Sequence, residues 1–333
     1  MITIAQVGVG RWGKNLLRNY MQMDSCRVKL VCEADPKHRQ EIKKNYPQVK
    51  VVASFNQVLK DPEIDAVVIA TPAATHFKLG MKALTAGKHI FIEKPIVLKT
   101  TQLKKLIALA NEKNKVLMEG HLLLYHGAVN CVREAIKSGK IGDLYHVYFR
   151  RTNLGSIRFT ENALWDFGPH DISVVYHLID EEPEQIAAHG VGYLQEGIEE
   201  VVFTFIKFKS GKFAHLQESW LDPHKDRKIV VVGSKGMIIM DELATDGKVK
   251  FIKKRAEAQE GEFEHERFKY HDEGHEVIEY EEVEPLRLEC LHFLECIENT
   301  KTPRSGGENS VRVLKTLEMA QKSLEKDGKP IKW

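Results

Sequence analysis

Three short stretches of this 333-residue chain carry residue types at spacings that chemistry can use. Gly8-Val9-Gly10-Arg11-Trp12-Gly13 follows an apolar run and opens a helix-compatible stretch. In that context Gly8 permits a tight turn, Gly10 lets a pyrophosphate approach the backbone, and Gly13 lets helix and strand pack closely. Amides at the helix N-terminus then face the phosphates, so the pattern implies a bound dinucleotide with Arg11 and Trp12 beside it. Glu33 and Asp35 follow the glycines by roughly 20 residues, where a carboxylate accepts hydrogen bonds from the adenosine ribose. A carboxylate there repels a 2′-phosphate and favours NAD, while Lys37 and Arg39 keep NADP open.

The second stretch, Glu93-Lys94-Pro95, directly follows Ile90-Phe91-Ile92. That run reads as a buried strand, and ligands on open parallel sheets bind beyond the carboxyl ends of strands. Pro95 fixes φ and removes a backbone donor, so the fold sets the direction of the Lys94 amine. In the third, Asp166-Phe167-Gly168-Pro169-His170, a carboxylate precedes an imidazole by one helical turn. A helix running through Gly168-Pro169 brings Asp166 and His170 onto one face. Proline favours instead a helix that starts near 169, with Asp166 on the turn before it. Either arrangement lets the acid orient or charge-stabilise His170. A further turn, Thr71-Pro72 with His76, is expected to border the cofactor, with His76 alternatively capping the next helix.

The elements that must hold these groups follow from the apolar pattern. Runs at 2–7, 28–32, 49–53, 66–70, 89–92 and 116–119 read as strands, with helix-compatible stretches between them. Near 100–113, Thr100 or Thr101 can cap a helix that places Leu103, Leu106, Ile107 and Ala110 on one face. Such alternation predicts an α/β unit over residues 1–120, a mainly parallel sheet covered by helices on both sides. After Gly120 the pattern changes. A helix carrying Val129, Val132 and Ile136 and closing near Gly139, a strand at 144–151 and a helix at 164–179 precede strand-like runs at 186–193, 201–209, 212–220, 228–232 and 237–240. Runs in series with Gly-rich turns predict a largely antiparallel open sheet in an α+β unit over 121–333. Val201, Phe203 and Phe205 alternate with Val202, Ile206 and Phe208, so both faces carry apolar residues. That predicts helices on one face and a second copy, in a homodimer or homotetramer, on the other. Two amphipathic helices, at 286–299 and 310–326, close the chain.

Composition narrows the function classes. Lys+Arg 49 against Asp+Glu 47 gives a formal charge of +2, and no basic patch interleaves with aromatics, so neither nucleic acid nor an anionic membrane is indicated. No run approaches the roughly 18 apolar residues of a membrane span, and the N-terminus lacks the pattern of a secretory signal. Five scattered cysteines without a Cys-x-x-Cys pair suit reduced thiols in a cytoplasm. Residues 253–284 are dense in charge and read as a solvated peripheral segment. His271 and His275 within it flank Gly274 and lack a third ligand, so no metal site is expected.

Taken in order, Gly8 to Gly13, Thr71-Pro72 with His76, Glu93-Lys94-Pro95, Asp166 with His170, Gly233-Ser234-Lys235-Gly236 and Pro303 resemble the Gfo/Idh/MocA-like oxidoreductases along essentially the whole chain. The resemblance implies a Rossmann domain, a second domain with a large open sheet, and a pyridine nucleotide that exchanges hydride with a sugar or polyol carbon. In such a reaction His170 is the first choice for general acid/base, because an imidazole titrates near working pH. Lys94 then shares the proton or hydrogen-bonds the reacting oxygen, and Asp166 tunes His170. Arg151-Thr152-Asn153-Leu154-Gly155-Ser156-Ile157-Arg158 and Asn162-Ala163-Leu164-Trp165-Asp166 look like the branch that oxidises UDP-N-acetylglucosamine, or its uronic acid, at C3. On that likeness Arg158 pairs with a pyrophosphate, Asn153 reads hydroxyl or acetamido groups, and Trp165, Tyr125 and His170 meet the sugar. Gly120-His121-Leu122-Leu123-Leu124-Tyr125 fits the branch, but His126-Gly127 stands where it shows Asn-Pro. Two other readings remain: a dehydrogenase of a free sugar, inositol or polyol, and a catalytically silent NAD(P)-binding sensor.

Overall fold

A computed structural model describes residues 1–260 and 267–333. The chain forms two compact units: Met1–Tyr125 with Val283–Lys315, and His126–Glu282 with Thr316–Trp333. The first stretch thus runs five residues past the expected boundary at 120, and much of the C-terminal helical region returns to the first unit.

The first unit holds a six-stranded sheet in the order β3-β2-β1-β4-β5-β6. Its strands are β1 (Ile2–Val7), β2 (Cys26–Cys32), β3 (Lys50–Val52), β4 (Ala66–Ile69), β5 (His89–Glu93) and β6 (Leu117–Gly120), all parallel. Every residue of β1, β4 and β6 is buried, which is why these strands read as continuous apolar runs rather than alternating ones. Strand order reverses between β1 and β4, and the carboxyl ends of strands at such a switch point form a ligand crevice. Helix α1 (Gly13–Met21) follows β1, and α5 (Thr100–Glu112) buries Leu103, Leu106 and Ala110 with Ile107 half-buried. Its cap differs from expectation. Lys99 takes the N-cap position without a side-chain bond, so neither Thr100 nor Thr101 caps the helix.

The second unit is built on a nine-stranded sheet, ordered β14-β13-β12-β11-β7-β10-β9-β8-β15. Its strands are β7 (Leu144–Thr152), β8 (Pro183–Val191), β9 (Val201–Phe208), β10 (Phe213–Ser219), β11 (Asp226–Gly233), β12 (Met237–Asp241), β13 (Val249–Ala258), β14 (Phe268–Val277) and β15 (Ile331–Lys332). Neighbours pair antiparallel except β7 with β10. On β9, Val202, Thr204, Ile206 and Phe208 are buried on the helix-covered side, while Phe203 on the other face is 38% exposed. That other face carries stacked rings, with Tyr148 and His215 centred 5.0 Å apart.

Helix α7 (Ala163–Leu178) matches the helical stretch expected at 164–179 and runs unbroken with Pro169 inside it, so of the two arrangements open at Gly168-Pro169 the continuous helix is the one formed and the start near 169, which proline favours, is not. Asn162 fixes the start upstream, its Oδ1 accepting from Trp165 N at 3.1 Å. Twelve of the helix's residues are buried, and that packing offsets the roughly 3 kcal/mol an interior proline costs. The charged region folds largely into the β13–β14 hairpin, with residues 261–266 outside those described. His271 there faces Glu257 across the hairpin at 3.1 Å. Among the described residues no three His, Cys, Asp or Glu side chains are grouped to hold a metal ion, and no helix is long and apolar enough to cross a membrane.

Candidate active site

The three turn glycines do different work. Gly8 sits at φ +89°, and a Cβ there would lie 2.5 Å from Ala70 O, so the turn needs both its left-handed backbone and its missing side chain. At Gly13 a Cβ would lie 2.5 Å from Gly8 O, which is the close helix–turn packing the sequence predicts. Gly10 meets nothing within 4 Å, leaving the open approach that a pyrophosphate requires. Helix α1 starts with no side-chain cap on its N-terminus, so its amide end is not covered by a carboxylate or hydroxyl of its own cap.

A cleft of about 690 Å³ collects Gly8, Gly10, Glu33, Asp35, Thr71 and Pro72 along its wall. Glu33 braces it: Oε2 accepts from Val9 N at 2.8 Å and Oε1 from Asp35 N at 2.9 Å. Asp35 spends Oδ1 as the N-cap of α2 (Pro36–Asn45), accepting from Lys37 N and His38 N. Arg39 turns its guanidinium onto the carbonyls of Glu33 and Ala34 at 3.0 and 2.6 Å. The open cradle at Gly10 and the acid at the end of β2 fit a dinucleotide whose ribose carries free hydroxyls.

Arg11 is exposed, and Trp12, 40% exposed, reaches from the glycine turn to the end of β5. Its Nε1 donates to Glu93 Oε1 at 2.6 Å, while Glu93 Oε2 accepts from Lys94 N at 3.2 Å. Lys94 itself is half-buried, and its peptide bond to Pro95 is cis. Burial pushes the Glu93 carboxyl up to about 7, against the Trp12 bond and the Lys94 charge that draw it down. Gly120 lies flat on this carboxyl, since a Cβ there would be 3.1 Å from both oxygens.

His76 does not border the cleft, nor does it cap a helix. It is 1% exposed, with Nδ1 2.9 Å from Pro95 O and Nε2 2.7 Å from Thr71 O, and so clamps the Thr71-Pro72 turn to the Lys94-Pro95 turn. Burial lowers the pKa of its ring. Glu119 makes a second brace, accepting from Ile96 N at 3.0 Å and standing 3.1 Å from His121 Nε2. Tyr125, expected to meet substrate, is instead a packing residue of the first unit. It is 3% exposed, its hydroxyl lies 3.3 Å from Ser305 Oγ, and the Arg304 guanidinium sits 5.0 Å over its ring.

In the second unit α7 carries Asp166 and His170 one turn apart. Asp166 is 8% exposed, and its Oδ2 accepts from Trp220 Nε1 at 3.1 Å. Oδ1 stands 3.4 Å from Arg158 Nη2. His170 is half-buried, and its carbonyl accepts from Ser173 Oγ at 2.7 Å. Asn153 folds over Gly155, where a Cβ would meet its Nδ2 at 2.0 Å, and Asn153 N donates to Ser219 O. Trp165 is half-buried, its Nε1 donating to Gln321 Oε1 at 3.1 Å. The His126-Gly127 departure has a local cause: His126 Nδ1 caps helix α6 (Gly127–Lys137) by accepting from Ala128 N, and a Cβ on Gly127 would lie 2.6 Å from Glu281 O.

Residues beyond those expectations complete the frame. Arg151, 8% exposed, pairs with Asp171 at 2.8 Å and Glu242 at 3.2 Å. Arg227 stacks 5.3 Å over Phe167 and donates to Thr152 O. Glu218 and Glu289 are buried acids at 0% and 1% exposure. One sequence signal marks Glu218: it continues the inward-facing series Ala214, Leu216 along β10, where an acid is out of pattern. The partners of Arg151 are far apart in the chain, and spacing alone does not reveal them.

A sequence profile described as "Oxidoreductase family, NAD-binding Rossmann fold" matches residues 2–121, and one described as "GFO/IDH/MocA C-terminal domain" matches residues 129–239. A 2,7-anhydro-N-acetylneuraminate hydratase of Escherichia coli (strain K12) is 28% identical over 268 residues, which is 75% of this chain and 70% of that protein. A scyllo-inositol 2-dehydrogenase (NAD(+)) of Bacillus subtilis (strain 168) is 28% identical over 321 residues, 91% of this chain and 88% of the relative. Among solved structures, UDP-N-acetylglucosamine 3-dehydrogenase GnnA from Acidithiobacillus ferrooxidans has a TM-score of 0.82 at 21% identity, covering 98% of each chain, a likeness of fold.

Proposed function

Because the chain belongs to the GFO/IDH/MocA oxidoreductase family, with an NAD-binding Rossmann unit and the chemistry of an NAD-dependent dehydrogenase acting on CH–OH groups of sugars or polyols, we propose that its substrate is a nucleotide-linked amino sugar oxidised at C3. UDP-N-acetylglucosamine and its uronic acid are the leading candidates. One observation carries the substrate class. Arg158, its side chain 39% exposed, stands loosely between Asp166 at 3.4 Å and Glu161 at 3.8 Å, leaving guanidinium donors for a pyrophosphate beside the helix that bears His170.

Bound NAD supplies the hydride acceptor at its nicotinamide ring. Gly8, Gly10 and Gly13 with the α1 N-terminus hold the pyrophosphate, Arg11 and Trp12 flank it, and Glu33 with Asp35 holds the ribose, so NAD is favoured over NADP. Thr71 and Pro72 wall the cleft. His170 Nε2 takes the hydroxyl proton as the carbon gives up its hydride, and the alcohol becomes a ketone. Asp166 stabilises the resulting imidazolium, and Lys94, aligned by Glu93, hydrogen-bonds the reacting oxygen. Asn153 and Trp165 meet the sugar.

The ring-bearing sheet face around Phe203, Tyr148 and His215 fits a second copy in a homodimer or homotetramer, and five unpaired cysteines suit a cytoplasmic enzyme, which cell fractionation tests. The substrate reading is tested by NAD reduction with a panel of UDP-sugars, free sugars and inositols. Reduction with UDP-N-acetylglucosamine or its uronic acid is expected. Reduction by free polyols alone refutes the nucleotide-sugar substrate and leaves the dehydrogenase standing, whereas NAD binding without reduction by any alcohol points to a silent sensor.

A further inference from the structure

Glu218 lies on the helix-covered face of the second sheet, beneath the helix that carries Asp166 and His170. In the β10–β7 register it is paired with Arg151, yet Arg151 gives its guanidinium to Asp171 and Glu242. The Glu218 side chain is 0% exposed, and neither of its oxygens receives a hydrogen bond from any donor among the described residues. Its carboxyl lies close to α7 at Gly168, where a Cβ would be 3.3 Å from Glu218 Oε1. The charged groups around it are Asp166 and Asp171 on α7 and Arg151 on β7. Burial first, and then the negative charge of Asp171, push this carboxyl well above the usual range, so it keeps its proton. A protonated carboxyl has an O–H to give and must give it to an acceptor. The helix beside it has one to offer. Pro169 brings no N–H to the carbonyl of Trp165 four residues earlier, in the turn that includes Gly168.

We propose that Glu218 is a positioning residue for the Asp166–His170 pair: its neutral carboxyl reaches under Gly168 and donates to the Trp165 carbonyl that Pro169 leaves without a helical donor. The three residues then form one device. Gly168 makes the room, Pro169 frees the acceptor and Glu218 supplies the donor, fixing the turn between Asp166 and His170. The assignment rests on the reading of Asp166 and His170 as the active pair.

The test uses the full-length, NAD-bound protein. Glu218→Gln keeps a donor and is expected to leave the His170 ring resonance and its titration midpoint, read by NMR on histidine-labelled protein, as in wild type. Glu218→Val removes the donor. It is expected to shift that midpoint and to lower kcat roughly tenfold with KM unchanged, the signature of lost positioning rather than lost binding. Adding Pro169→Ala restores a backbone N–H to Trp165 and is expected to reverse both changes. Glu218→Gln as damaging as Glu218→Val, an unshifted His170 in Glu218→Val, or no rescue by Pro169→Ala each overturns the proposal. Should Glu218→Val not fold, difference infrared spectra decide. Wild type must show a protonated-carboxyl band above neutral pH that Glu218→Gln lacks, and absence of that band refutes the neutral acid. The NMR and infrared readouts need no turnover, so a failed dehydrogenase reading would not be mistaken for a failed Glu218.

Discussion

The indole Nε1 of Trp12 donates to Glu93 Oε1 across 2.6 Å, joining the glycine turn after β1 to the strand end that presents Lys94. One side chain therefore couples the pyrophosphate end of the site to the strand end assigned to the chemistry. Trp12→Phe keeps the ring and removes the donor. Loss of a hydrogen bond to a carboxyl of this kind is expected to weaken NAD binding about tenfold, measured by isothermal titration. An unchanged Kd would mean that the bond is incidental to the cofactor.

Glu93 makes stability depend on pH in a definite direction. Its folded-state value of about 7 lies above the ordinary carboxyl value, so between the two the folded chain holds a proton that the unfolded chain has released. The favourable contribution of the neutral acid is therefore full at acid pH and is lost as pH rises through about 7. Glu93→Gln removes that loss, which is on the order of 3 kcal/mol. The variant's thermal midpoint is expected to gain on wild type between weakly acidic and weakly alkaline buffer. A difference independent of pH contradicts the assignment.

Gly10 and Gly13 separate binding from folding. Gly10→Ala places a methyl in open space and is expected to leave the thermal midpoint unchanged while weakening NAD binding at least about tenfold. Gly13→Ala drives a methyl to 2.5 Å from Gly8 O and is expected to cost roughly 1–3 kcal/mol of stability. Calorimetric unfolding together with cofactor titration reads both, and equal effects of the two substitutions would refute the distinction.

Lys94→Ala is expected to leave NAD affinity within about a factor of two and to lower kcat by roughly 10²–10⁴. Near-normal turnover in this variant removes Lys94 from the chemistry and leaves the proton work to His170 alone.

The sheet face bearing Phe203, 38% exposed, and the Tyr148–His215 stack is assigned to a second copy. Phe203→Glu is expected to lower the sedimenting mass to that of a single chain, with far-ultraviolet circular dichroism unchanged. A wild-type chain that already sediments as a monomer refutes the assignment.

The Rossmann strands β1, β4 and β6 are legible to within a residue or two because strands buried on both faces leave no other pattern than apolar runs. The glycine turn and Lys94 were legible because strand–turn–helix context is local. The helix at 164–179 is legible in its apolar pattern, and only the start that Pro169 favours is not taken, for a physical reason. The proline's local preference for a helix start is weaker than the Asn162 cap and the burial of α7 together, and neither appears in a short window of sequence. The clamp made by His76, read from sequence as a cofactor neighbour or a helix cap, and the packing of Tyr125, read as a sugar contact, are not legible locally because their partners Pro95, Ser305 and Arg304 are brought to them only by the fold. Arg158 is singled out by the resemblance alone, and the fold sets it beside Asp166 and Glu161.

The ring of Phe91 on β5 meets that of Phe293, on the helix Pro285–Glu298, edge to face with centroids 5.8 Å apart. Synthesis on the ribosome delivers the first of these residues long before the second. The nascent Rossmann sheet must therefore wait, with the surface around Phe91 uncovered, while residues 126–282 are translated, before the segment Val283–Lys315 can complete its core. Folding of the cofactor unit is in this sense tied to completion of the polypeptide. A chain stalled or cut before Val283 carries the glycine turn and Lys94 but lacks the segment that covers Phe91, and so exposes apolar surface of the kind that makes incomplete chains prone to aggregate.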